Sequence, residues 1–159
     1  KRCRLFPEAW VWHKRRTDFR KFWRQVYNSG IARINLYKKY PESLKLVHLL
    51  PMVFTVGVLF LALLFIFGLI FVCSPSLFLS ASALGKLLCL CAVAPILLYS
   101  LLILVDSTIQ NKSLAIGFLS IRAAFVQLMG YGCGFLEAWW KRCVQRKSEF
   151  AAYEKNFYK

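Results

Sequence analysis

The residues of this 159-residue chain best suited to bind a ligand lie in one short cationic stretch. Arg24, Gln25 and Asn28 occupy adjacent turns of a predicted helix, and Arg33 follows them. Gly30 would permit close approach by another backbone or by a ligand. Guanidinium forks match phosphate oxygens, and amides can bind sugar hydroxyls. The stretch predicts a phosphate- or acceptor-binding surface, and periodicity alone leaves a solvated or lipid-facing basic face as an equal alternative.

Groups for self-contained catalysis are missing from the sequence. The chain has no G-x-x-x-x-G-K-[ST], G-x-S-x-G or H-E-x-x-H pattern, and only 7 Asp and Glu. His13 and His48 lie far apart, and the simplest interpretation of each is a structural or headgroup-contacting histidine. The 6 cysteines lack the paired spacing of a zinc site or of a disulfide framework. We therefore expect no catalytic residue within this chain.

Charge and hydrophobicity are separated along the sequence. The 22 Lys and Arg give a net charge of +15, yet 58% of the residues are hydrophobic. The cations gather before residue 49 and after residue 140, next to apolar runs long enough to span a bilayer. A nucleic-acid-binding domain would instead carry them on a soluble scaffold. The pattern predicts a membrane protein that faces anionic lipid and binds no nucleic acid.

A predicted amphipathic helix over residues 17–40 positions the cationic stretch. Thr17 and Asp18 are suited to begin this helix, and Pro41 ends it. An aromatic-rich stripe recurs at helical spacing and consists of Phe19, Phe22, Trp23, Val26, Tyr27, Ile34 and Tyr37. Rings on one side and cations on the other are typical of an interfacial helix, whereas packing on a soluble core is the alternative.

The transmembrane region is predicted over residues 41–136, followed by a basic tail over 137–159. Apolar runs predict spans at about 49–72 and 84–105, separated from a third apolar segment by a polar turn at 106–113. The third segment, 114–136, is ambiguous because it contains Arg122, which must face protein, water or the interface. A third span would also put the basic tail opposite the basic N-terminal part. We favour a re-entrant or interfacial third segment.

The beginning of the chain predicts an extended segment. Bulky residues alternate after Pro7, as in a strand, and an isolated strand cannot satisfy its backbone. We therefore expect a short strand remnant, residues 1–16, whose partner strands belong to a domain outside this chain, and we expect the chain to be a fragment. The predicted fold class is mainly α and membrane-embedded, with this remnant, the interfacial helix and two to three transmembrane helices.

Three stretches carry a family resemblance through their order. They are Phe-Pro-Glu-Ala-Trp-Val-Trp-His-Lys-Arg-Arg at 6–16, Phe-Arg-Lys-Phe-Trp-Arg-Gln-Val-Tyr-Asn-Ser-Gly-Ile-Ala-Arg at 19–33, and Tyr-Pro-Glu-Ser-Leu-Lys-Leu-Val-His-Leu-Leu-Pro at 40–51. The chain resembles the C-terminal part of bacterial membrane-associated family 2 glycosyltransferases, including succinoglycan-type polysaccharide synthesis enzymes. A late glycine-rich stretch at 127–136 also looks like a motif near the end of such proteins, with Gln127 where histidine is expected.

The resemblance implies a catalytic N-terminal domain of the GT-A type that this chain lacks. Residues 1–16 would be its exit strand, and His13 would help to hold a divalent metal, Mg²⁺ or Mn²⁺. Arg24, Gln25, Gly30 and Arg33 would match a helix that borders the acceptor site. The Gln-x-x-Arg-Trp pentapeptide of processive synthases is absent, which favours single transfer.

The expected function is therefore transfer of a sugar from a nucleotide-sugar donor to a lipid-linked or polysaccharide acceptor. The resemblance implies the bacterial inner membrane, with the basic N-terminal part on the cytoplasmic side and membrane lipids as further partners. A non-enzymatic membrane anchor or assembly subunit that binds anionic lipid or a partner is the alternative.

Overall fold

A computed structural model of the chain describes residues 6–12, 18–73 and 79–148. These residues form four α-helices and no strand. Three of the helices are long and apolar enough to cross a membrane. The predicted mainly helical membrane fold is thereby confirmed. The helices are α1 (Phe19–Lys39), α2 (Leu50–Cys73), α3 (Leu79–Asn111) and α4 (Leu114–Trp139).

The strand remnant does not form over the part of it that the structure describes, residues 6–12. A turn follows Phe6, whose carbonyl accepts a hydrogen bond from the N–H of Ala9 at 3.1 Å. Trp10 and Trp12 contact each other edge to face, with ring centroids 5.7 Å apart. A strand needs a partner to satisfy its backbone, and none lies within the described ranges.

The cationic helix α1 has a defined beginning and end. The Asp18 carboxylate accepts a hydrogen bond from the N–H of Arg20 at 2.8 Å, which caps the first turn. At the other end Tyr40 donates its N–H to Leu36, and Pro41 begins a short 3₁₀ turn, Pro41–Ser43. A second 3₁₀ turn, Leu46–His48, leads into α2. The helix therefore lies within the predicted range 17–40.

The α2–α3 hairpin consists of residues 50–73 and 79–111, packed antiparallel. Gly68 and Gly85 face each other so closely that a Cβ on Gly85 would lie 2.7 Å from the carbonyl oxygen of Gly68. Nearer the opposite end, the rings of Phe54 and Tyr99 contact each other with centroids 5.4 Å apart and planes tilted by 55°. We call this opposite end, where α2 begins and α3 ends, the open end of the hairpin.

The second helix of the hairpin, α3, is longer than the predicted span at 84–105. The expected polar turn at 106–113 is wrong because α3 continues to Asn111, and the chain turns only at Lys112, whose φ is 50°. Two hydrogen bonds support this last part of α3. The Gln110 side chain donates to Asp106 at 2.8 Å, and the Ser107 hydroxyl pairs with Ser120 of α4 at 2.7 Å.

The ambiguous third segment is one continuous helix, α4, followed by a π-helical turn, Trp140–Val144. A re-entrant segment would reverse within the membrane, so the re-entrant form of our prediction is wrong. Its glycines do not break the helix because Gly117, Gly130, Gly132 and Gly134 are all buried in contacts with other helices.

The α1–α4 pair consists of residues 19–39 and 114–139. Its small core is formed by Ile31 and Ile34 of α1 and by Phe135 and Ala138 of α4, none more than 4% exposed. The aromatic stripe of α1 therefore covers α4. The two predicted alternatives were an interfacial helix and a helix on a soluble core, and neither included this contact of the stripe with another helix of the chain.

Candidate functional site

The α1–α4 pair is joined by a reciprocal contact of two Tyr-x-x-Gly stretches. A Cβ on Gly30 would lie 2.2 Å from the carbonyl oxygen of Tyr131, and a Cβ on Gly134 would lie 2.0 Å from that of Tyr27. Real Cβ atoms essentially never come within 3.0 Å of such atoms. Both positions therefore require glycine, and the two backbones touch, as in tightly packed membrane helices.

The two helices run in the same direction along most of α1. Phe19 at the start of α1 contacts Arg122, Val26 in its middle lies against Gly130, and Ile34 packs with Phe135. Sixteen α1 positions, 19–34, follow α4 over about 22 Å at the helical rise of about 1.5 Å per residue. The pair is thus a parallel unit that fixes where the side chains of α1 point.

The exposed side of α1 is cationic. This cationic face is formed by exposed side chains near both ends of the helix, Arg20, Lys21, Arg24, Lys38 and Lys39. The Lys39 ammonium lies 5.7 Å from the centre of the Tyr40 ring. Guanidinium and ammonium groups on a fixed helix can bind phosphate oxygens without ordering the backbone first.

The five residues predicted to bind an acceptor or phosphate are divided by the structure. Arg24 and Gln25 are exposed, whereas Asn28 is 8% exposed and Gly30 is buried against α4. Arg33 is half-buried and lies on the other side of α1 from Arg24, because nine residues make about two and a half turns. The close approach that Gly30 permits is made by the α4 backbone.

His48, predicted to be a structural or a headgroup-contacting histidine, forms a hydrogen bond within its own turn. Its Nδ1 accepts a hydrogen bond from the N–H of Lys45 at 3.0 Å, within the turn that leads into α2. This bond fixes the ring at the junction of α1 and the α2–α3 hairpin.

The Arg122 side chain contacts protein, one of the three environments (protein, water or the interface) that the sequence left open. Its guanidinium carbon lies 4.4 Å from the centre of the Phe19 ring, although the residue is exposed overall. The contact is a cation–π interaction across the α1–α4 pair. Arg122 therefore extends the cationic surface around the beginning of α1.

The predicted metal ligand lies outside the described residues, since these omit 13–17. Among the residues that are described, no group of three His, Cys, Asp or Glu could hold a metal ion. These residues therefore do not fit an Mg²⁺ or Mn²⁺ site, and any such metal would belong to the expected catalytic domain.

Sequence reasoning missed two features of the α1–α4 pair. The first is the end of α4, where Trp139 and Trp140 are exposed beside an ion pair between Glu137 and Lys141. A Trp-Trp-Lys-Arg run after an apolar segment is typical of a membrane interface and was a usable signal. The second is the pairing of α1 with α4 through their glycines. The sequence indicated that Gly30 permits close approach of a backbone, and the repeated Tyr-x-x-Gly was a further signal of which segment supplies it.

Comparisons with known proteins add no family to this chain. It matches no protein-family profile, no curated protein and no solved structure. The glycosyltransferase interpretation therefore depends on the sequence resemblance and on the surface of α1.

Proposed function

We propose that this chain is the membrane-anchoring, acceptor-facing part of a glycosyltransferase. The enzyme would transfer a sugar from a nucleotide-sugar donor to a lipid-linked or polysaccharide acceptor at the cytoplasmic face of the bacterial inner membrane. The observation that supports this proposal is the exposed cationic face of α1, which α4 holds at the open end of two apolar helices. A phosphate on a lipid-linked acceptor would lie at the same depth in the membrane as this cationic face.

The role of α1 would be positioning. The Arg24 fork would bind acceptor phosphate, and the Gln25 amide would bind a neighbouring hydroxyl. Holding an acceptor in one orientation raises the rate of transfer by reducing the entropy lost at the reacting step. Asn28 and Gly30 are buried, so they would act through the placement of α1 and not by touching acceptor. A catalytic domain outside the described residues would supply the carboxylate that deprotonates the acceptor.

The test is sugar transfer by the full-length protein with Arg24→Ala. A charge-assisted hydrogen bond contributes roughly 1.5–3 kcal/mol, so we expect KM for a phosphate-bearing acceptor to rise about tenfold or more. The matched control is Lys147→Ala, which removes an exposed cation from the tail. Equal KM values for the two variants would reject acceptor binding at Arg24.

The alternative is a non-enzymatic anchor that binds anionic lipid or a partner. The burial of Asn28 and Gly30 favours it, because it leaves fewer of the predicted ligand groups accessible. The sequence encoded immediately upstream distinguishes the two functions. An in-frame domain carrying Asp-x-Asp supports the enzyme, whereas a start codon directly before Lys1 rejects it.

A further inference from the structure

We infer that α4 does not cross the bilayer but lies with α1 in the headgroup layer of an anionic leaflet, so that only α2 and α3 span the membrane. The α1–α4 pair is then a membrane-surface platform on the open end of the α2–α3 hairpin. This inference does not depend on the proposed function.

The contacts of α4 with α2 stay at one level. Phe125 contacts Phe54 with ring centroids 5.6 Å apart, and the Thr55 hydroxyl reaches the Leu128 carbonyl at 3.3 Å. A Cβ on Gly132 would lie 2.0 Å from the Thr55 hydroxyl. From residue 125 to residue 132 α4 rises about 10 Å, yet its partners on α2 do not advance beyond the second turn.

The contacts of α4 with α3 lie at the same end of the hairpin. Ser120 pairs with Ser107, and a Cβ on Gly117 would lie 2.3 Å from the Thr108 hydroxyl. These partners belong to the last turns of α3.

Further along α4, Phe125 contacts Tyr99 of α3 with ring centroids 5.8 Å apart, and Tyr99 lies level with Phe54 of α2. A helix crossing the bilayer beside α2 and α3 would follow them towards their other end. After Phe125 the contacts of α4 with the hairpin go no deeper than Tyr99 and Thr55, so α4 crosses the open end and does not follow the hairpin to its other end.

The charges of α1 give a second, independent reason. Because α1 runs parallel to α4 from Arg122 to Ala138, the two helices share one environment over that length. If α4 crossed the bilayer, the exposed Arg20, Lys21 and Arg24 would be carried into hydrocarbon, which is costly for cations. The same groups are favourable among anionic headgroups.

The order of layers follows from the two faces of α4. Gly130 and Gly134 pack on α1, whereas Gly132 packs on α2, so α4 lies between α1 and the hairpin. The exposed apolar side chains of its first half, including Leu114 and Phe118, suit the boundary between headgroups and acyl chains. The cationic face of α1 is then outermost, where phosphate groups and water meet.

This placement puts both basic ends of the chain on one side of the membrane. Two spans return the chain to the side on which α1 begins, and the tail after α4 stays there. The positive-inside rule, which a third span would violate, is then satisfied by both cationic regions.

Cysteine labelling with a membrane-impermeant maleimide tests the number of spans. Full-length protein in sealed vesicles of either orientation would carry one cysteine, with the others replaced by alanine: native Cys73, Gln110→Cys or Lys147→Cys. All three positions are exposed. We expect Gln110→Cys and Lys147→Cys to label from one side and Cys73 from the other. Labelling of Lys147→Cys from the Cys73 side, or from neither side, would overturn the inference.

Tryptophan quenching tests the depth and the lipid. The hairpin helices contain no tryptophan, and Trp23 lies against Gly130 in the α1–α4 pair. A variant with Trp23 alone, the other tryptophans being phenylalanine, would be reconstituted with lipids brominated near the glycerol or near the chain end. We expect at least twofold stronger quenching by the shallow label. Stronger quenching by the deep label would contradict the surface placement.

The same variant distinguishes anionic lipid from any lipid. Shallow bromine on phosphatidylglycerol should quench Trp23 more than shallow bromine on phosphatidylcholine at equal mole fraction. Arg20→Gln with Arg24→Gln should reduce that difference, whereas Lys112→Gln, an exposed change at the α3–α4 turn, should preserve it. If the two lipids quenched Trp23 equally in the protein that retains Arg20 and Arg24, the anionic headgroup would be rejected as the partner of the cationic face.

Discussion

The α2–α3 hairpin and the α1–α4 pair are both built around close glycine contacts, yet their surfaces are different. Within α2 only Thr55 and Gly68 are buried, and many large apolar side chains, such as Phe60, Leu63 and Phe67, are exposed. Within α4 four glycines are buried on opposite faces, and its partner α1 is strongly cationic. The apolar surface of the hairpin is compatible with the hydrocarbon core of a bilayer, whereas the α1–α4 pair is held by close contacts between particular residues. Apolar length alone therefore does not distinguish a membrane span from a packed surface helix.

The largest expected effect comes from breaking the α1–α4 contact with Gly30→Leu. The new side chain would collide with the Tyr131 carbonyl and the Phe135 backbone, so α1 must separate from α4. Overpacking a tight contact costs about 3 kcal/mol or more where backbone cannot move. We expect hydrogen exchange of α1 amides to accelerate at least a hundredfold, while exchange in α2 and α3 changes little.

The matched control is Gly57→Leu, because a Cβ on Gly57 meets nothing within 4 Å. It places the same side chain on an open surface of α2. If Gly30→Leu and Gly57→Leu gave the same exchange pattern, the close α1–α4 contact would be refuted.

An intermediate effect is expected where α4 meets the hairpin, with Thr55→Val. The Thr55 hydroxyl is buried and reaches the carbonyls of Pro51 and Leu128 at 2.9 and 3.3 Å. Its loss leaves the shape nearly unchanged but removes the bond to α4, which should destabilise the protein by about 1 kcal/mol. Reversible unfolding in mixed micelles would measure the change.

Thr108→Val is the control for that measurement. The buried Thr108 hydroxyl has no hydrogen-bond partner among the described residues, so its removal should leave stability unchanged or raise it. The prediction is that Thr55→Val lowers the free energy of unfolding more than Thr108→Val does. Greater destabilisation by Thr108→Val would mean that the Thr55 bond does not hold α4 to the hairpin.

The smallest expected effect concerns Arg122→Gln, which removes the cation from the Phe19 ring. A cation–π contact at an exposed site contributes about 0.5–1 kcal/mol, so the unfolding of α1 should become easier by that amount. Arg122→Lys should retain part of the stability because it keeps the charge. A loss for Arg122→Lys as large as that for Arg122→Gln would show that charge over the ring contributes nothing.

The elements that local chemistry determines could be predicted from the sequence. Asp18 and Pro41 bracket α1, and an uncharged run as long as 49–72 leaves only a membrane helix. The expectation that Arg122 faces protein, water or the interface, and not lipid, also followed from its place in an apolar segment. In each case the cause lies within a few turns of the residue.

The features that the sequence did not predict depend on contacts between residues that are distant in sequence. Gly30 permits approach by a ligand or by a backbone equally well, and only the position of Tyr131 decides between them. Glycines that would weaken an isolated helix are stable in α4 because neighbouring helices occupy the space beside them. The polar end of α3 remains helical because Ser107 finds Ser120. Such pairings join segments far apart in sequence, so the residues of one segment do not determine which partner it meets.

The length of α3 connects the surface platform to the thickness of the bilayer. Its apolar segment, Ser82–Asn111, has 30 residues and is about 45 Å long, whereas the hydrocarbon core measures about 30 Å. The end of α3 that carries Ser107 therefore extends beyond the acyl chains, and α4 is bound to this protruding end. A thicker membrane would bury more of this protruding end in hydrocarbon, and a thinner membrane would bury less of it. The distance of the cationic face of α1 from the acyl chains would change with it. The chain length of the lipids would therefore determine which groups at the membrane surface the cations of α1 can contact.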